Sequence, residues 1–477
     1  MIVYKFGGAT TRSVRGLENL VSIVRAAHEA ELRKLRRAIT NPKHLPGLVV
    51  VVSAIGHTSR RLRAIAEYAE DGKALFAGET LERVVERHLG LGQSLDLSAR
   101  IQSRLMKEIN FISRDVAKLV EGVTITRELS DRTLDSFLAA GERFASALIG
   151  ALLEDRGVNV TPSDARKFII TNGDFTNAAP NLEEITRRAN AELRPHLERG
   201  SVILTQGFIG ATAQGDTTTM GIESSDLTAT LLGEALGARE IVIWKTVPGI
   251  FTADPEIVPM AKAIRHISFE EADEMGRRGV RALYPKVAKP LLEKNSPAII
   301  RVTAPSRKPH RGTTVSSTTG VVRSPKPIAL ALEENITTLY VKRPKEEYLS
   351  GAPHMDGSLL LATETIPSFA LKRAYYYWAS DTEITISVRR SEKRALVRSL
   401  KEAGYEVQEE KPLAALSLLV RYREASQDLS AIRERVLRAL RRYPVRAVFP
   451  VESSFVILID EARSEEALRK LHREFFE

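Results

Sequence analysis

Cysteine is absent from the 477 residues, which excludes disulfides, thiolate metal sites and cysteine nucleophiles. Aromatic residues are scarce, at 6% with only two tryptophans. No apolar run reaches the roughly 18 residues that a membrane-spanning helix needs. The first residues lead into a glycine turn and do not read as a secretory leader. These readings predict a cytoplasmic protein with no membrane partner. A GxxxxGK segment is also missing, which argues against a P-loop fold.

What is present is the composition of a soluble globular protein, 43% hydrophobic and 27% charged, long enough for two or three domains. Basic residues outnumber acidic ones by 70 to 60, a formal net charge of +10. The excess is dispersed among acids, as in RRLRAIAEYAE and RERVLRALRRY, with no aromatic-studded basic sheet. A solvated surface is expected and a nucleic-acid partner is not.

The stretch VYKFGGAT near the start carries the first chemical signal. Ile2 to Phe6 reads as a buried strand. Val14 to Ala27 has apolar residues at helical spacing, with Thr10, Thr11 or Ser13 available as N-cap. Gly7 and Gly8 therefore fall in a strand-to-helix turn, where backbone amides and the helix dipole favour an anion and Lys5 points the same way. A tight turn beside a solvated lysine fits this stretch equally well.

The first two-thirds alternates strands and helices. LVVVVS (Leu48–Ser53) reads as a strand of a buried parallel sheet, and further strands are expected at Asn159–Thr161, Lys167–Thr171, Ser201–Thr205 and Ile241–Trp244. Asp71 to about Leu138 is mainly helical, with a break near GLGQSLDLS. VYKFGG, VVSAIG, ILTQGFIG and VIWKTVPG each end a strand in a glycine-bearing loop, and such loops converge beyond the carboxyl ends of a parallel sheet.

A Ser/Thr/Pro-rich linker follows at Ser316–Pro327. Beyond it short strands (Ile328–Leu332, Thr337–Val341, Glu383–Val388, Leu416–Tyr422, Ser453–Ile459) alternate with helices at Ser391–Ala403, Leu429–Arg442 and Ser464–Phe475. ITISVRRSEKRALVRSL echoes FVILIDEARSEEALRKL, which suits two ferredoxin-like modules or two generic α/β segments. The aromatic run Tyr375–Trp378 reads as core or as an interface seam.

VYKFGG, VVSAIGHTSRRL, LAAGERFASALIGALLEDRG, ILTQGFIG, SSDLTATLLGEALGA, IWKTVPGIFTADP and GVRALYP follow the order and spacing of the aspartokinases, within the wider amino-acid kinase group. The resemblance spans about residues 1–318, and the C-terminal modules with the closing LHREFFE resemble paired ACT regulatory domains. It implies an α/β, three-layer αβα sandwich with a mostly parallel sheet over 1–318, then α+β ferredoxin-like ACT modules over 325–477.

The activity implied is ATP-dependent phosphorylation of the aspartate side-chain carboxylate, with Mg²⁺ accompanying ATP. Lys5 and Asp226 are the implied catalytic residues, and Ser53, Ser59 and Glu142 contact the acceptor. Lys5, Gly7, Gly8, Lys245, Thr246, Phe251, Asp254 and Arg281 bind the nucleotide. An amino-acid effector at the ACT modules and a homodimer or larger homo-oligomer are further implications.

The chain departs from the family in several places. Ile222 stands where the family carries an arginine that forks onto a substrate carboxylate, and Glu223 adds negative charge beside it. Lys245-Thr246 replaces Thr-Asp, and Glu256 replaces an arginine. HMDGSLLLATETIPS is the one segment of the first ACT-like module that resembles an effector turn. A same-fold kinase for another acceptor such as homoserine, or a catalytically weak regulatory paralogue, are the alternatives these changes leave open.

Overall fold

The computed structural model describes residues 1–37, 46–221, 224–280, 286–305, 312–317, 325–342, 376–379, 383–409, 412–421, 429–451 and 454–477. It divides into two compact units. One comprises 1–250, 263–276 and 281–320; the other comprises 251–262, 277–280 and 321–477.

In the N-terminal unit the order is β1 (Ile2–Phe6), α1 (Val14–Arg37), β2 (Leu48–Val52), α2 (Thr58–Glu70), α3 (Ala74–Ser94), α4 (Ala99–Thr126), α5 (Asp131–Asp155) and β3 (Val160–Ser163). There follow α6 (Leu182–Glu198), β4 (Val202–Gln206), β5 (Ile209–Ala211), β6 (Thr217–Thr219), α7 (Ser225–Leu236) and β7 (Glu240–Trp244). β8 (Ile250–Phe251) straddles the division between the units. The N-terminal unit continues with β9 (Ala263–Ile264), β10 (His266–Ser268), α8 (Phe269–Arg277, whose last residue groups with the other unit), α9 (Lys289–Glu293), β11 (Ile299–Thr303) and β12 (Thr313–Ser316).

Eight strands form one sheet in the order β10-β12-β11-β7-β1-β2-β4-β3, parallel throughout except where β11 meets β12. All five residues of β2 are buried, as a strand covered on both faces demands, and α1, α5, α6 and α7 pack on the sheet. The expected αβα layering is what forms.

α5, with 25 residues, is the longest run of buried apolar helix in this layer. By length and composition it would cross a bilayer, yet 89% of its apolar window is buried inside the unit. The expected helical break falls between α3 and α4.

One expected strand is absent. Lys167–Thr171 starts in a short 3₁₀ turn at Ala165–Lys167, because the Asp164 carboxylate accepts the Arg166 N–H and pairs with its guanidinium. Only isolated bridges follow, at Ile170 and Thr171.

The C-terminal unit holds β13 (Lys326–Lys342), β14 (Tyr376–Ala379), β15 (Glu383–Arg389), α10 (Arg390–Glu402), β16 (Glu406–Glu409), β17 (Leu413–Arg421), α11 (Ser430–Ala439), β18 (Val445–Val451), β19 (Ser454–Asp460) and α12 (Ser464–Phe476). They build one antiparallel sheet, β14-β15-β13-β17-β19-β18, with β16 also on β13.

The two strands expected at 328–332 and 337–341 are one. Glu-Glu-Asn reads as a turn, but the register shifts in a bulge between Glu333 and Ile336, where Asn335 takes φ 60°. The internal echo is real at the level of elements: β15–α10 and β19–α12 are the two copies, each over its own core. Leu339, Ile384, Ile386, Leu396 and Leu400 fill one, and Leu416, Phe455, Ile457, Leu468 and Leu471 fill the other. The segment HMDGSLLLATETIPS and Tyr375 lie outside the described residues; Tyr376–Ala379 forms the edge strand β14.

Candidate active site

β1 and β7 run side by side with Lys5 opposite Ile243, so Lys5 and Lys245, two residues beyond Ile243, leave the sheet on the same side. Both reach Asp226, the second residue of α7. Lys5 Nζ lies 2.7 Å from Oδ1 and Lys245 Nζ 2.7 Å from Oδ2. Asp226 is 1% exposed. Burial pushes its pKa up, and the two ammonium groups more than reverse this, holding the carboxyl below its usual range. A first-turn position adds favourable alignment with the helix dipole. One carboxylate between two lysines leaves a net positive charge, with Lys245 the more accessible of the two.

The glycine turn beside Lys5 is built by packing. A Cβ on Gly8 would lie 2.0 Å from the Ala54 carbonyl oxygen, so glycine is required by the approach of the 53–56 turn, and Gly56 N–H donates to Gly8 O at 3.0 Å. Gly7 N–H is engaged by Trp244 O at 3.4 Å. Ser13 is the N-cap among the three expected, its Oγ accepting from Gly16 N–H.

Across the turn stands Glu142, 3% exposed on α5. Its Oε1 accepts the Ala54 N–H at 3.0 Å, while Oε2 is buried with no hydrogen-bond partner among the described residues. Burial pushes Glu142 up to about 8, against the opposing pull of the Ala54 amide and the charge of Lys5. Ser53 follows β2 directly, and its N–H donates to Phe6 O. Ser59 packs beside Gly141, within 3.7 Å of where a Cβ on that glycine would lie. Ser53, Ser59 and Glu142 thus gather around the 53–56 turn that packs on Gly8, while Lys5, Asp226 and Lys245 form one ion-paired cluster.

Thr246 is exposed after Lys245. Phe251 and Asp254 group with the C-terminal unit, where Asp254 Oδ1 accepts the Glu256 N–H. Ile222, Glu223 and Arg281 lie outside the described residues.

Two buried polar groups escaped sequence reasoning. Asp135, on α5, accepts three hydrogen bonds, and Ser224 Oγ, just before α7, is buried without a partner among the described residues. A lone acid seven residues before Glu142, on an otherwise apolar helix face, was the available signal for Asp135.

The amino acid kinase family model matches residues 1–301. The chain is 29% identical over 500 aligned residues to lysine-sensitive aspartokinase 3 of Escherichia coli K12, covering 100% of this chain and 99% of that protein. It is 26% identical over 494 residues to chloroplastic aspartokinase 1 of Arabidopsis thaliana, covering 100% and 80%. Among solved structures, E. coli aspartokinase III in complex with aspartate and ADP, in the R-state, matches with TM-score 0.83 at 27% identity over the whole of both chains. The same enzyme with lysine and aspartate, in the T-state, matches at 0.68 and 26% over the same extent.

Proposed function

The chain belongs to the amino acid kinase family, and on that premise we propose that it transfers the γ-phosphoryl group of ATP to the side-chain carboxylate of aspartate, forming 4-phospho-aspartate. The observation that carries the reading is the buried Asp226 carboxylate locked between Lys5 and Lys245. Phosphoryl transfer between two anions asks the protein for positioning and positive charge more than for covalent work. The aspartate side chain is already ionised at neutral pH, so it needs no base to attack. Asp226, held below the usual carboxylate range, is a weak base and suits an acceptor of this kind better than an alcohol.

In this reading an acceptor carboxylate oxygen attacks the γ-phosphorus, the bond to the bridging oxygen breaks, and ADP leaves with that electron pair. Lys5 and Lys245 hold the negative charge on the transferring group, and Asp226 fixes the separation of their ammonium groups. Glu142 Oε2 takes the acceptor's ammonium group, which supplies the partner this buried oxygen lacks. Ser53 and Ser59 contact the acceptor carboxylate, and Gly7, Gly8 and Thr246 flank the phosphates. Among the described residues no group of three or more acidic or histidine side chains could hold a metal ion. Both Asp226 oxygens are also taken by lysines, so Mg²⁺ would be held chiefly by the nucleotide's own phosphates. The lysine-bound E. coli relative supports an amino-acid effector on the C-terminal unit.

The test is ADP release from Mg-ATP with aspartate, homoserine, glutamate or no acceptor, with hydroxylamine present to trap an acyl phosphate. Aspartate-dependent release with a trapped hydroxamate is expected. Release with homoserine and no hydroxamate would reassign the acceptor, and no release with any acceptor would reject the kinase reading.

A further inference from the structure

Asp135 lies two helical turns before Glu142 on α5, roughly 10 Å along the same face at 1.5 Å per residue. Phosphoryl transfer makes no use of it, yet it is fully buried. Thr176 N–H and Thr219 N–H donate to its Oδ2 at 2.9 and 2.8 Å, and the Thr219 hydroxyl donates to Oδ1 at 2.6 Å. None of these partners is a cation, so the acid is held in the core by neutral donors alone.

Both threonines occupy exacting places. Thr176 has φ 68°, a left-handed conformation that a β-branched residue adopts only when its surroundings impose it. Thr219 ends β6, seven residues before Asp226. The next residue, Met220, donates its N–H to Phe208 O at 3.0 Å, and Phe208 N–H donates to Thr228 Oγ1 on α7 at 3.1 Å. A Cβ on Gly207 would lie 2.5 Å from Ser225 Cβ. The 207–208 turn, the end of β6 and the start of α7 are therefore one packed block, and Asp135 ties that block to the helix carrying Glu142.

We propose that Asp135 is a positioning residue for the acceptor: by clamping Thr176 and the end of β6 onto α5, it sets the separation between Glu142 and the packed block of β6 and the start of α7, which carries Asp226. This rests on the reading that Glu142 takes the acceptor's ammonium group. It follows that Asp135 governs acceptor binding and leaves nucleotide binding alone.

Steady-state kinetics of Asp135→Asn test it, because the amide turns a donor toward groups that are themselves donors. KM for aspartate should rise about tenfold or more, with KM for ATP and kcat changing by less than about threefold. Thr219→Val, which removes one of the three bonds, should raise the aspartate KM by a smaller factor. Adding Thr176→Gly to Asp135→Asn should recover part of the loss, since glycine takes the left-handed conformation without support. Unchanged KM values, or both rising together in folded Asp135→Asn, would overturn the proposal. If Asp135→Asn does not fold, the same KM split in Thr219→Val decides. If the unaltered protein shows no aspartate turnover, the functional reading fails, and hydrogen exchange still judges the clamp. Amides of 172–178 and 217–221 should exchange faster in Thr219→Val while α5 is unchanged; equal exchange would sink the clamp.

Discussion

In the N-terminal unit six described charged side chains, Lys5, Glu31, Asp135, Glu142, Asp226 and Glu274, are at most 5% exposed. Glu31 is paired with Arg239 and Lys34, and Asp226 with Lys5 and Lys245. In the C-terminal unit the described ion pairs Arg398–Glu402, Arg435–Glu474, Arg463–Glu466 and Arg469–Glu465 all lie a third or more exposed. Its interior is closed mostly by apolar side chains and hydroxyls, with Arg278 and His472 among its buried polar groups. Burying charge is costly unless it is paired or hydrogen-bonded, and here ion pairs at Glu31 and Asp226 and neutral donors at Asp135 offset that cost. Ion pairs in water contribute solubility and little else.

The sharpest way to break this contrast is Lys5→Ala. It removes a buried cation and reduces the net positive cluster to a neutral Asp226–Lys245 pair, and kcat in the ADP-release assay should fall by about three orders of magnitude or more. Retained turnover would show that the buried cluster is structural after all.

Glu142→Gln is next, with an expected loss of about 10²-fold in kcat/KM for aspartate. A pH profile sharpens it. With its pKa pushed up to about 8, Glu142 is mostly protonated at pH 7 in the free protein, whereas an ammonium group needs the carboxylate. Hence kcat/KM for aspartate should climb with pH and level off above about 8, while kcat at saturating aspartate lacks that climb. A flat kcat/KM profile would remove Glu142 from the acceptor site.

Two measurements address the other unit. His472 is fully buried, with Nε2 2.9 Å from Thr252 Oγ1 and its ring stacked on Phe476. Thr252 Oγ1 also accepts from Lys262 N–H, and the ring's Nδ1 lies 3.3 Å from Glu477 Oε1. His472→Ala should destabilise the protein by about 2–4 kcal/mol in thermal or urea unfolding, through a cavity and a stranded hydroxyl. Arg435→Ala, breaking an exposed pair, should cost no more than about 1 kcal/mol in the same experiment. A large effect at Arg435 would mean that the surface pairs carry more of the C-terminal unit than their exposure implies.

Much of the fold was legible in the sequence because parallel sheets covered on both faces need continuous apolar strands, and LVVVV has few other uses. The Lys167–Thr171 error arose from a local side-chain bond, Asp164 to its own turn, that outcompeted strand propensity. The 326–342 strand was misread for the opposite reason: a left-handed asparagine mimics a turn in composition while the ladder continues through a bulge. In the candidate site Lys5, Glu142 and Asp226 could be named from the resemblance of their motifs. Asp135 showed in the sequence only as an acid on an apolar helix, and its role stayed hidden because its partners are 41 and 84 residues away and two of its three bonds come from backbone amides. Backbone donors leave no trace in residue type.

By itself the sequence determined the α/β layering, the placing of the helices and the identity of the loops that end the central strands, because hydrophobic periodicity and glycine placement are local properties. Only the tertiary structure decided that Lys245 shares Asp226 with Lys5, that Gly8 is demanded by the Ala54 carbonyl, and that one oxygen of Glu142 is left without a partner. Those facts depend on which distant groups meet in a dehydrated space, and pairing across that distance is set by packing alone.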